Sequence, residues 1–187
     1  MCALGAGGAT IWFTGLPASG KSTVAAAVER RLVAAGRSAY RLDGDVLRTG
    51  ISRDLGFDQA ARAENVRRAA EVARLMADAG TVALVALVSP YRADRAEARA
   101  LHERHGLPFV EVWVSAPLAL CERRDPKGLY ARARRGELVA MTGVDDPYEA
   151  PSAPELELAG DVEVQDGASR VIELLETLVP AATAHPR

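Results

Sequence analysis

The 187 residues predict an α/β protein, a parallel sheet of about five strands with helices on both faces. Three observations carry that expectation. Short apolar runs alternate with stretches of helical period along the chain. The first run, Ala9 to Thr14, leads straight into Gly15-Leu-Pro-Ala-Ser-Gly20-Lys21-Ser22-Thr23. The run from Val82 to Val88 is almost purely apolar, as a strand covered on both faces must be.

The glycine-rich run narrows the class. Its Gly-x4-Gly-Lys-Ser spacing lets backbone N–H groups converge on phosphate oxygens, while Lys21 reaches the β- and γ-phosphates and the Ser22 hydroxyl binds Mg²⁺. The helix that follows adds its positive end to the same place. The expected fold is therefore of the P-loop NTPase type, with Gly15, Ala18, Ser19, Gly20, Lys21, Ser22 and Thr23 holding ATP.

Composition fits one soluble domain over residues 1–187, with 49% apolar residues and a net charge of -2. That balance gives no electrostatic footprint for nucleic acid or a membrane, and no apolar run is long enough to span a bilayer. Cys2 and Cys121 are too few for a disulfide framework or metal site, and no secretory leader is visible, so a reducing, cytoplasmic setting is expected. His102, His105 and His185 lack metal-ligand spacing and read as surface residues. Of 23 basic residues only Lys21 and Lys127 are lysine. In a chain that uses arginine for generic charge, both lysines are expected to have specific tasks, Lys21 because a compact ammonium fits between phosphates.

After the first strand, a helix is expected from Lys21 to Ala35, with Val24, Ala27, Val28 and Leu32 on one face and Gly36 as its stop. A strand from Ser38 to Leu42 delivers Asp43-Gly-Asp45 at its carboxyl end, where open α/β sheets bind ligands. These carboxylates can organise a metal's waters or take a proton from an attacking hydroxyl. Arg48 follows on a short helical turn, and a long helix runs from the N-cap Asp58 to about Ala79, with Arg62 and Asn65 one turn apart near its start. An Arg and an Asn placed so suit an anionic, hydrogen-bonding ligand. The Val82 to Val88 strand ends in Ser89-Pro-Tyr-Arg92, again at the ligand edge.

A surface helix from Ala93 to His105, a strand from Phe109 to Ser115 with Trp113 in the core, and a helix from Pro117 to Arg124 come next. Asp125 to Gly136 is basic, hinged by Pro and Gly, and reads as a mobile lid that brings Lys127 to the transferring phosphoryl group. Met141 to Pro151 forms a covering loop. A last strand is expected at Asp161 to Val164, a last helix from Ala168 to Leu178, and a disordered tail from Pro180 to Arg187.

Taken together, the Gly15 to Thr23 run, Leu42-Asp-Gly-Asp45, Asp54-Leu-Gly-Phe57, Arg62-Ala-Glu-Asn65-Val-Arg-Arg68, Ser89-Pro-Tyr-Arg92, Arg124-Asp-Pro-Lys-Gly-Leu-Tyr130 and Pro147-Tyr-Glu-Ala-Pro151 resemble adenylylsulfate (APS) kinases. The resemblance implies transfer of phosphate from ATP to the 3′-hydroxyl of adenosine 5′-phosphosulfate, with Mg²⁺. It implies that Lys21 and Ser22 hold phosphates and metal, and that Asp43 and Asp45 lie beside the metal and the hydroxyl. Asp43 is favoured as base and metal partner, with Asp45 left open. Arg48, Arg62 and Asn65 would hold the phosphosulfate, Phe57 would stack on its adenine, Ser89 would lie close by, and Lys127 would belong to the lid.

Three departures from the family pattern stand out. Met141 replaces the usual Phe of an aromatic clamp, Val46 replaces a common Asn, and the segment before the first strand is short where many relatives use a longer one for regulation or dimer contacts. A homodimer is left open. The competing readings are a related kinase acting on an antibiotic or nucleotide analogue, which Met141 would favour, and a regulatory nucleotide-binding module without catalysis.

Overall fold

A computed structural model describes residues 7–179. Five strands, β1 (Ala9–Thr14), β2 (Ala39–Asp43), β3 (Val82–Ala86), β4 (Phe109–Ser115) and β5 (Leu156–Ala159), form one parallel sheet in the order β2-β3-β1-β4-β5. The chain leaves β1 toward one edge and later returns to its other side. The crevice where strand order reverses therefore lies at the carboxyl end of β1, the switch point at which such sheets bind ligands.

Strand side chains alternate between two apolar layers. Ile11, Phe13, Leu84, Val110 and Val112 face α1 (Lys21–Ala34) and α7 (Val164–Leu178). Trp12, Ala83, Val85 and Phe109 face α3 (Gln59–Asp78) and α4 (Arg92–Arg104). Between β2 and α3 lies the short α2 (Gly44–Thr49), and α5 (Leu118–Arg124) and α6 (Leu129–Arg134) lie between β4 and β5. As expected, Asp58 caps α3, its carboxylate accepting from the Ala61 N–H at 2.9 Å.

Several expectations need correction. The last strand is Leu156–Ala159, not Asp161 to Val164. Its Glu and Leu alternate as an edge strand with one solvated face requires, and Gly160, packed too close to Ala116 to carry a side chain, ends it. The last helix starts one turn early, at Val164, because the Glu163 carboxylate accepts from the N–H groups of Gln165 at 2.7 Å and Asp166 at 3.0 Å. β3 stops at Ala86, leaving Leu87 and Val88 as extended chain at the ligand edge.

His102 is fully buried rather than a surface residue: Nδ1 donates to the Ala98 carbonyl and Nε2 accepts from the Thr10 hydroxyl, both at 2.8 Å. The sequence hid this because the other side of α4 is dense with charge. Trp113 is only partly buried, and Trp12 fills the core instead. His185 and the tail from Pro180 to Arg187 lie outside the described residues. No described helix is long and apolar enough to cross a membrane.

Candidate active site

The loop between β1 and α1 is shaped by its glycines. Gly15 has φ 146°, and a Cβ there would stand 2.6 Å from the Val114 carbonyl oxygen. Gly20 has φ 110°, and Ala18 is held at φ 60° by a tight turn in which the Ser19 N–H donates to the Leu16 carbonyl at 3.1 Å. Lys21 opens α1 with its ammonium folded into the loop, donating to Gly15 O at 3.0 Å, Leu16 O at 2.7 Å and Ser19 Oγ at 3.3 Å. Burial pushes this ammonium down to about 8, with Cys121, Asp43 and Asp45 pulling the other way. A phosphate arriving at the loop offers Lys21 a stronger acceptor than these carbonyls.

Three adjoining cavities line the carboxyl edge of the sheet. The first, about 540 Å³, runs along Gly20, Ser22, Thr23, Arg124, Lys127 and Gly160. The second, about 180 Å³, lies between Lys21, Ser22, Asp43, Lys127 and Tyr130. The third, about 110 Å³, is lined by Asp45, Arg48, Arg62, Asn65 and Ser89. Asp45 lines all three.

The two aspartates differ in environment. Asp43 is buried and both its oxygens are engaged: Oδ1 caps α2 by accepting from the Asp45 N–H at 3.1 Å, and Oδ2 accepts from Arg41 at 2.8 Å. Gly44 does not reverse the chain but begins α2, and both aspartates border the first two cavities. Asp45 is exposed and pairs with Lys127 of the lid segment. The other lid cations are turned outward, Arg134 to Glu122 and Arg135 to Glu137. α6 itself is anchored by the buried Tyr130, whose hydroxyl donates to the Pro17 carbonyl at 3.0 Å.

The acceptor-side residues converge on the third cavity. Arg48 donates to Gly56 O at 2.8 Å and lies with its guanidinium carbon 4.2 Å from the centre of the Phe57 ring. Burial and then the neighbouring charge of Arg62 hold Arg48 below the usual arginine range, the mark of crowded positive charge facing a small volume. Arg62 donates to Phe57 O at 2.8 Å and Ala140 O at 2.6 Å. Asn65 is 6% exposed, and its Oδ1 is buried without a partner. Ser89 is 2% exposed, with φ 39°, its hydroxyl accepting from Trp12 Nε1 and donating to Thr14 Oγ1, each at 3.1 Å.

Phe57 is exposed beside Arg48, and neither it nor Met141 is among the residues that line this cleft. Met141 is buried against Ala116, Cys121 and Tyr130.

These cavities are the setting for the comparison with known proteins. The adenylylsulphate kinase family model matches residues 7–159. The chain belongs to the adenylylsulphate kinase family. An adenylyl-sulfate kinase of Emericella nidulans is 50% identical over 177 residues, covering 91% of this chain and 86% of the relative. The structure of the Mycobacterium tuberculosis APS kinase CysC in complex with AMPPNP and APS superposes with a TM-score of 0.90 at 53% identity, covering 92% of this chain and 99% of that one. A hexameric APS kinase from Thiobacillus denitrificans aligns with a TM-score of 0.71 at 31% identity, over 94% of this chain and 30% of that one.

Within this family fold, three residues to which the sequence assigned no role support the site. Arg124 lines the first cavity and ties the cradle to the β5 exit, donating to Ser19 O at 3.2 Å and Gly160 O at 2.7 Å. Tyr148 reaches β1 from the covering loop, its hydroxyl 3.1 Å from Thr14 Oγ1, and burial pushes that phenol up to about 12. Asp146 holds the same loop to the acceptor cleft, accepting from Tyr91 at 3.0 Å and pairing with Arg62 at 3.6 Å. Long-range partners of this kind leave no local spacing to read.

Proposed function

We propose that this chain transfers the γ-phosphoryl group of ATP to the 3′-hydroxyl of adenosine 5′-phosphosulfate. ATP lies along the first two cavities, and the acceptor's phosphosulfate lies in the third. The observation that carries this reading is the third cavity. Two arginines crowd it and Asn65 shares its wall, so two guanidinium groups and an amide NH2 are available to donate to an anion there.

Lys21 swings from its own loop's carbonyls to the β- and γ-phosphates, and the backbone N–H groups of Gly20, Lys21 and Ser22 hold the phosphate chain. The donor set fits Mg²⁺, because Ser22 and Asp43 supply hard oxygen ligands from one cavity wall, and this ion binds through few protein groups plus phosphates and water. When bound, Mg²⁺ neutralises charge developing on the transferred group. Lys127 adds a cation from the lid segment.

Asp45, rather than Asp43, takes the proton from the acceptor hydroxyl in this reading. Asp43 borders only the two phosphate cavities, on the metal side, whereas Asp45 borders those and the acceptor cleft as well. Phe57, beside Arg48, offers its exposed ring to the acceptor's adenine. Self-association of the chain belongs to the same proposal.

A coupled ADP-release assay tests the reading. ADP should appear stoichiometrically with 3′-phosphorylated acceptor when ATP, Mg²⁺ and adenosine 5′-phosphosulfate are all present. Turnover of another hydroxylated acceptor but not of adenosine 5′-phosphosulfate would overturn it.

A further inference from the structure

We propose that Arg95 is a positioning residue for the acceptor cleft, holding Ser89 in its left-handed backbone conformation so that Val88 to Pro90 can form the cleft wall. The inference rests on the reading of the third cavity as the acceptor site. Arg95 is 3% exposed, and its fork is fully used: Nε donates to Glu111 Oε1 at 2.7 Å, Nη1 to Ser89 O at 2.6 Å and Nη2 to Glu149 O at 2.7 Å. One planar guanidinium thus joins α4, β4, the Ser89 turn and the covering loop.

The need for such a clamp lies in Ser89. Its φ of 39° is a conformation that non-glycine residues adopt only when their surroundings impose it. Ser89, Val88 and Pro90 all line the acceptor cleft, so relaxation of this turn would deform the wall that Arg48, Arg62 and Asn65 face. The carbonyls of Val88 and Ser89 also accept from Thr14 Oγ1, at 2.8 and 3.4 Å, but a neutral hydroxyl is the weaker holder. The covering loop closes the arrangement, with the Glu149 N–H donating to Pro90 O at 2.8 Å.

Glu111 explains why an arginine can be buried here. It interrupts the otherwise apolar β4 run Phe-Val-Glu-Val-Trp-Val, and it neutralises Arg95 where a lone cation would be costly. Lysine could keep the charge but could not serve three acceptors in one plane.

The test compares wild type, Arg95→Lys and Arg95→Lys/Ser89→Gly for kcat, the KM of each substrate, and amide hydrogen exchange across residues 86–92. Arg95→Lys should raise the acceptor KM about tenfold, leave the ATP KM within about twofold, and speed exchange at Ser89 to Tyr91. Glycine at 89 adopts positive φ without a clamp, so the double variant should recover most of the lost acceptor KM. An unchanged acceptor KM, a parallel rise in both KM values, or a double variant worse than Arg95→Lys would overturn the proposal. If wild type fails to phosphorylate adenosine 5′-phosphosulfate, the functional reading falls alone. The exchange data then decide the clamp, with unchanged exchange in Arg95→Lys refuting it.

Discussion

The nucleotide side and the acceptor side of this crevice are built in opposite ways. On the nucleotide side the phosphate cradle is one continuous stretch, Gly15 to Thr23, whose lysine is satisfied locally, and Asp43, Arg124 and Lys127 only complete its rim. The acceptor side gathers Arg48, Arg62, Asn65 and Ser89 from α2, α3 and the chain that follows β3, and Ala140 and the covering-loop residue Asp146 hold Arg62. A contiguous cradle recognises what all nucleotides share. A site assembled from distant segments can be specific, because each segment contributes one contact that tertiary packing must place.

The largest expected effect would break the nucleotide side. Lys21→Ala should lower kcat by about 10³-fold or more with any acceptor, measured by steady-state ADP release, while the acceptor still binds. Asn65→Ala should do the converse, raising the acceptor KM about tenfold with the ATP KM and kcat little changed.

A proton count sharpens the same contrast. Lys21 titrates near 8 because it is buried, and approaching phosphates favour its charged form. ATP binding at pH 8 should therefore take up about half a proton, and ATP affinity should fall as pH rises through 8. Calorimetry in two buffers of different ionisation enthalpy measures this directly, and acceptor binding should show no such uptake.

The smallest effect lies away from both sites. Burial holds the His102 imidazole below its usual value, so the unfolded chain binds the proton more readily than the folded one. Stability should fall as pH drops through about 6.5, the unperturbed histidine value, and His102→Gln should flatten that slope in urea titrations at pH 5.5 and 7.5, with ADP-release activity at pH 7.5 retained.

The same contrast explains what the sequence made legible. The cradle, the α3 cap at Asp58 and the first four strands follow from local period and turn chemistry, so they could be read in order. Arg62 and Asn65 could be paired from their spacing on α3, but their union with Arg48 and Ser89 came from a resemblance, because only the sheet's switch point brings these segments together. Arg95 was hidden among the arginines of α4, although a glutamate inside the apolar β4 run was a usable sign of a buried partner. The last strand was misplaced because Asp161 to Val164 alternates as well as Leu156–Ala159 does, and only the close approach of Gly160 to Ala116 separates them. Met141 packs onto the Tyr130 cluster, a contact that no spacing in the sequence reports.

The central claim is that two separately built sites meet at Asp45. Its most direct test is the kinetics of Asp45→Asn beside Asp43→Asn, with ATP and adenosine 5′-phosphosulfate varied in turn. If Asp45 accepts the proton, Asp45→Asn should lose about 10²-fold or more in kcat while both KM values stay within about twofold, and Asp43→Asn should weaken the use of ATP and Mg²⁺. An Asp45→Asn enzyme that keeps wild-type kcat would contradict the claim.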